Sequence, residues 1–320
     1  MSDFNPIADL SYRNYDGPLK PPAARWWTIA RQTMRAVMRN KWLWAMSALA
    51  GAYYLVMIIF LFVMDRILES NPNAAGFQKA ILGGIVWKEQ FGHGIDFAQL
   101  PSMIIAIAVG AGAIANDNRA NALLVYLSKP CTKFDYAFGK WLGIFLVLLG
   151  ALAIPALAFY AYGALSFREL EFFKDPWLIA KLLATIPLCA ALNASLILAV
   201  SSLFKQGRLA GAVYAGLYFL GDFFTKIMGA VWVLGARDAA GRDLVKGLFY
   251  ASIDGLQIGL SRAILHTRGS NLLGLPATGR NFHLLPPPPP LIPMLLIVLA
   301  VAVVSIAIAW SRVRAVEVVG

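Results

Sequence analysis

The chain has 320 residues, of which 59% are hydrophobic and 14% charged, with a mean hydropathy of +0.65 and a formal net charge of +11. A soluble domain carries roughly 25% charged residues, so this composition excludes an ordinary water-soluble globule. It fits a lipid-embedded chain, where each charge at the bilayer centre costs about 2.5–3.5 kcal/mol. The basic excess marks cytoplasmic span ends beside anionic headgroups and not a nucleic-acid surface.

In chain order, residues 1–41 form a polar, basic N-terminal segment. Within it, Arg25, Trp26 and Trp27 open an amphipathic pattern over 24–40. Arg31, Arg35 and Arg39 recur every four residues, and Trp27, Ala30, Met34 and Val37 line another face, so the pattern predicts a helix lying in the membrane interface. The first apolar run starts near residue 42, too late and too long for a cleavable signal peptide.

Six apolar runs approach the ~20 residues needed to cross the hydrocarbon core, at about 42–64, 97–115, 141–163, 177–204, 209–235 and 291–310. The first, second, third and sixth hold no Asp, Glu, Lys or Arg. The fourth has Lys181 near one end, where it can snorkel. The fifth carries Asp222 and Lys226, four apart with the acid first, as in an intrahelical ion pair. Alternatively the fifth span breaks near Gly221 and both charges reach water, or both line a substrate path or exit gate. The expected fold is an all-α membrane protein, with residues 42–320 as one six-span domain.

Orientation follows from Lys and Arg placement. Arg25, Arg31, Arg35, Arg39 and Lys41 precede the first span, and Arg119, Lys129, Lys133 and Lys140 stand between the second and third. Lys205 and Arg208 stand between the fourth and fifth, and Arg312 and Arg314 follow the sixth. Six spans put all four groups on one side, so both termini are expected in the cytoplasm. The connection 236–290 then lies outside. It contains a second amphipathic pattern over 242–265, with Val245, Phe249, Ile253, Leu256, Leu260 and Ile264 on one stripe. Its end, Pro286–Pro290, is expected to form a stiff polyproline spacer into the last span.

An active site is hard to find. His93, His266 and His283 are far apart in sequence and fall in predicted outside loops, and no Cys/His cluster has metal-ligand spacing. Cys131 and Cys189 do not suggest a disulfide framework. No GxxxxGK[ST] phosphate loop occurs, so any ATP used must be bound by another chain. Asp222 lacks the first glycine of an intramembrane protease GxGD sequence, since Phe219 stands there, and no second aspartate lies in an uncharged span to share a proton.

The most distinctive stretch is 116–140, the connection between the second and third spans. It begins polar, makes an apolar-faced helical turn, is stopped by Ser128-Lys129-Pro130, and resumes as a helix through Gly139-Lys140. Asp117, then Leu127-Ser128-Lys129-Pro130, then Gly139-Lys140 resemble the first cytoplasmic loop of permease subunits of type-two ABC exporters, the ABC-2 membrane family. That loop runs acid, Gly-Thr, Leu-Ser-Arg-Pro, Gly-Lys, and here Asn121-Ala122 stand where Gly-Thr is usual. The basic helix is similar to the family's elbow helix, and the ending from Arg312 to Val319 is similar to its short basic tails.

This resemblance implies six spans with both ends inside, short re-entrant helices capping the exit path within 236–290, and location in a bacterial inner membrane. It makes 116–140 the coupling segment that a separate ATPase pushes. ATP and Mg would be held by that partner and no cofactor by this chain. Other implied partners are a second permease copy or related subunit, membrane lipid and an extracytoplasmic protein. The reading is of a non-enzymatic exporter subunit. The competing one is a membrane anchor and mechanical transmitter that drives an outside assembly or maturation partner without moving substrate.

Overall fold

The computed structural model describes residues 25–69, 85–121, 132–167, 175–234, 239–267 and 286–313. Among them every regular element is a helix, and six helical stretches are long and apolar enough to cross a membrane. Helix α1 (Arg25–Met38) is the predicted amphipathic helix, and α2 (Lys41–Glu69) is the first span.

The second span is more elaborate than its apolar run. Helix α3 (Trp87–Phe97) precedes α4 (Gln99–Gly110), and only Ala98 separates them. Hydrogen bonds bridge the joint, from Ala98 N to the Gly94 carbonyl and from Ser102 N to the Ala98 carbonyl. Lys88, Glu89, Gln90, His93 and Asp96 dilute the hydropathy of α3, so the apolar run begins only at residue 97. The structure instead buries Glu89 and Gln90 among neighbouring helices, and His93 lies on a helix, not in a loop. At its other end α4 loosens into turns over 111–114 and resumes as the short α5 (Ala115–Arg119). Ser201 ties that break: its hydroxyl accepts from Ile114 N at 3.0 Å and Ala115 N at 3.1 Å, and donates to the Ala111 carbonyl at 2.8 Å.

Helix α6 (Lys133–Ser166) opens on a capping box, in which Thr132 and Asp135 satisfy each other's backbone N–H groups. Helices α7 (Leu178–Leu203), α8 (Gly207–Leu234) and α11 (Leu291–Arg312) are the remaining spans. Lys181, expected to snorkel, reaches Asp175 Oδ2 at 2.5 Å. Helix α8 is unbroken through Gly221, which removes the alternative of a span ending there.

The outer amphipathic pattern is two helices and not one stripe. Helices α9 (Ala239–Phe249) and α10 (Ile253–Leu265) are separated by Tyr250, Ala251 and Ser252, and the Ser252 side chain caps α10 by accepting from Gly255 N. Val245, Phe249, Leu256 and Leu260 of the stripe are buried, and α10 also buries Asp254, Gln257, Ser261 and Arg262. It therefore sits within the bundle, packed against α3, α7, α8 and α11, and does not float in the interface. Its Gln257 amide oxygen accepts at 3.1 Å from Asn193, a residue in the body of α7, and Tyr214 of α8 donates to the same Asn193 at 2.8 Å.

Apolar burial gives little net drive in lipid, so these helices are held by close packing and internal hydrogen bonds. One packed cluster centres on Tyr54, Phe91, Phe159 and Leu192, and another on Ile105, Ile144, Leu148 and Ile197. Helix α8 exposes Leu217, Leu220 and Phe223, and α11 exposes Leu296, Leu299 and Val303, as surfaces facing lipid or another helical chain do.

Candidate coupling site

The site is built where α1, α5 and the start of α6 meet. Helix α1 lies across α6 at Gly139 and Gly143. A Cβ on Gly139 would stand 2.6 Å from the Trp26 carbonyl oxygen and 2.8 Å from Ile29 Cβ, so only hydrogen lets the two backbones approach. The ring of Trp26 meets Phe138 edge-on, with centroids 5.4 Å apart. The face of α1 that packs on α6 is therefore Trp26, Ile29, Ala30 and Thr33, of which Ala30 is buried and the others half-buried. Trp27, placed on the apolar stripe by periodicity, is exposed, as are Arg31, Arg35 and Arg39.

Next to Gly139 on α6, Lys140 places its Nζ 3.0 Å from Asp117 Oδ2. Tyr136 donates its hydroxyl to the same oxygen at 2.6 Å, and the Lys140 ammonium lies 5.6 Å from the Tyr136 ring centroid. Asp117 thus receives a neutral and a charged donor. The acid and the Gly-Lys pair of the sequence pattern, 22 positions apart, form one knot. Its side chains are mostly covered, at 20% exposure for Asp117 and 15% for Lys140. Asp117 faces inward, its carboxylate held by Lys140 and Tyr136. The exposed charges here are Arg119 and Lys133.

Asn121, which stands at the position of the usual glycine, has φ 51°, in the left-handed region where glycine is at ease and asparagine is the best-tolerated substitute. The departure from Gly thus leaves a left-handed backbone in place. Leu127, Ser128, Lys129 and Pro130 lie outside the described residues.

In α8, Lys226 Nζ lies 2.6 Å from Asp222 Oδ2, forming the i,i+4 pair on an exposed face. Nearby, Thr225 and Ser252 hydroxyls share a hydrogen bond that joins α8 to the cap of α10. Sequence reasoning missed a second feature. Buried Arg262 donates to the Pro286 carbonyl at 2.9 Å and to the Tyr250 hydroxyl at 2.8 Å, and Tyr250 in turn donates to the Pro286 and Pro287 carbonyls. The proline run is thereby clamped onto α10 just before α11 begins. Arg262 lies off the apolar stripe of 242–265, so periodicity gave no sign that it is buried. His266 caps α10 in a left-handed conformation, and His283 lies outside the described residues. Among the described residues no three His, Cys, Asp or Glu side chains gather as a metal site would need.

The family model described as ABC-2 family transporter protein matches residues 27–315. The chain belongs to the ABC-2 transporter family. It is a multi-pass membrane protein of the permease type. In ABC-2 systems the ATPase activity lies in a partner subunit. No curated protein matches the chain.

Proposed function

We propose that this ABC-2 permease is the membrane-spanning part of an ATP-driven exporter, working as two copies or beside a related subunit, with both termini in the cytoplasm. Each permease holds a separate ATPase on segment 116–140, and ATP-driven closure of the ATPases rearranges the spans. The observation that carries this reading is the knot of Asp117, Tyr136 and Lys140. It braces α5 against α6 at the point where α1 also rests on α6. A push on the segment would therefore reach a 34-residue helix and the elbow together instead of dissipating in a loose loop. The drive is the differential affinity of the ATPase for two states of the permease, since a ligand can shift an equilibrium by no more than that.

Charge reversal tests it. Lys129→Glu with Lys133→Glu leaves the knot intact and should weaken ATPase association and coupled turnover at least tenfold. Unchanged association and turnover would remove the segment from the mechanism.

A second reading, the mechanical transmitter, draws support from the clamp of Arg262 and Tyr250 on the proline run, which ties the outer helix α10 to the last span. Reconstituted vesicles distinguish the two. ATP-dependent movement of a hydrophobic or amphipathic cargo favours the exporter, and ATP-dependent activation of an outside partner without cargo movement favours the transmitter.

A further inference from the structure

Beside the knot, a recess of about 690 Å3 opens between the end of the second span and the start of α8. Its polar lining is Arg119, Arg208, Asn116 and Gln206, and its floor includes Gly112 and Gly207. Those glycines bring the two backbones together: a Cβ on Gly207 would stand 2.9 Å from Gly112 Cα, and Gly207 N donates to Asn116 Oδ1 at 3.3 Å. No carboxylate lines the recess, and among the described residues neither guanidinium has an acid within 4.0 Å. The nearest acid in sequence, Asp117, is committed to Lys140 and Tyr136. The other end of the recess is apolar. It is formed by Ile107 of α4 and Ala212 of α8, which stand further into their spans than the arginines.

We infer that this recess binds one anionic glycerophospholipid of the cytoplasmic leaflet, its phosphate between Arg119 and Arg208 and its acyl chains along Ile107 and Ala212. The cytoplasmic placement rests on the topology proposed above. Two planar guanidiniums offer paired donors that match phosphate geometry, and the glycine floor lets backbone come close to the headgroup. The gradient from two cations to bare apolar wall matches a molecule with an anionic head and hydrocarbon tails. A helix of a second copy would have to strip water from both guanidiniums and replace it with acceptors of its own. A soluble phosphate would leave the apolar end uncovered.

The test uses the purified full-length chain, stripped of lipid in a non-ionic detergent. Phosphatidylglycerol or phosphatidylcholine is added back, and bound lipid is counted by native mass spectrometry. The wild type should hold one phosphatidylglycerol in preference to phosphatidylcholine. Arg119→Gln with Arg208→Gln should weaken that binding by roughly ten- to thirtyfold, the effect of two basic residues beside an anionic surface. Arg312→Gln, an exposed charge outside the lining, should retain wild-type binding. Equal binding of the two lipids, an unaffected double variant, or an equal loss in Arg312→Gln would each overturn the site. Displacement of the lipid by millimolar inorganic phosphate would assign the recess to a soluble anion and overturn the lipid. So would disulfide formation between two Ala212→Cys copies, which would assign it to a second chain. Lipid counting is blind to sidedness and to the ATPase, so its failure leaves the coupling proposal standing, and the reverse also holds.

Discussion

Replacing Gly139 with alanine measures how closely the elbow must sit on α6. The added Cβ would meet the Trp26 carbonyl oxygen at 2.6 Å and Ile29 Cβ at 2.8 Å, whereas ordinary contacts begin near 3.4 Å. Helix α1 must therefore retreat by about 0.8 Å along its contact with α6, and the obstacle includes backbone that no rotamer change can clear. Overpacking of this kind costs about 1–3 kcal/mol. Against it stands the gain of up to ~1 kcal/mol for alanine over glycine inside a helix. Gly150 isolates that gain, because it lies on the same helix with nothing within 4 Å of its Cβ position. Gly150→Ala should be neutral or stabilising by up to ~1 kcal/mol, while Gly139→Ala should lose up to ~2 kcal/mol. The assay is unfolding of the purified chain by sodium dodecyl sulfate titrated into mixed micelles, followed by tryptophan fluorescence. Equal stabilisation in the two variants would refute the close approach of α1 and α6.

Tyr136→Phe removes a hydrogen bond to a charged acceptor and should cost about 1.5–3 kcal/mol in the same titration. Asp117→Ala should cost at least as much, and the double variant less than the sum, since both act on one oxygen. Arg262→Met removes charged donation to Pro286 and Tyr250 and should destabilise by about 1.5–3 kcal/mol per lost bond; an unaltered unfolding midpoint would show that the proline clamp holds nothing. The hydrogen bond from Lys181 holds the Asp175 carboxyl below its ordinary value of 3.8. A depressed acid contributes stability that is present above pH 3.8 and lost as pH falls through the lower folded value. The wild type should therefore exceed Asp175→Asn by up to ~1 kcal/mol at neutral pH, the ceiling for an exposed pair, and by nothing at strongly acid pH.

The six spans were legible because each requires a long run with few charges, and lipid leaves no other way to satisfy the backbone. Helix α3 was not, because it carries polar side chains inward. Hydropathy reads Glu89 and Gln90 as exposed, whereas Gln90 lies buried with its amide oxygen 2.6 Å from the Tyr53 hydroxyl. The apolar period of 242–265 persists across Tyr250–Ser252, so the stripe alone does not show where one helix ends and the next begins. Capping by Ser252, followed by acidic Asp254 in the first turn, was the local sign of a new helix start. At the elbow, periodicity identified the helix but chose Trp27 where packing uses Trp26. The two face different neighbours, and a single helix cannot reveal its partner. The sequence pattern lists Asp117 and Gly139-Lys140 separately, and that Asp117 and Lys140 touch one another follows only from the return of α6 beside α5.

Whether this permease works through a separate ATPase is decided by purifying the tagged chain in a gentle detergent and identifying what accompanies it. A stoichiometric nucleotide-binding ATPase is expected, its association weakened by Lys129→Glu with Lys133→Glu. A chain that emerges alone, or with only an outside partner, would contradict that expectation.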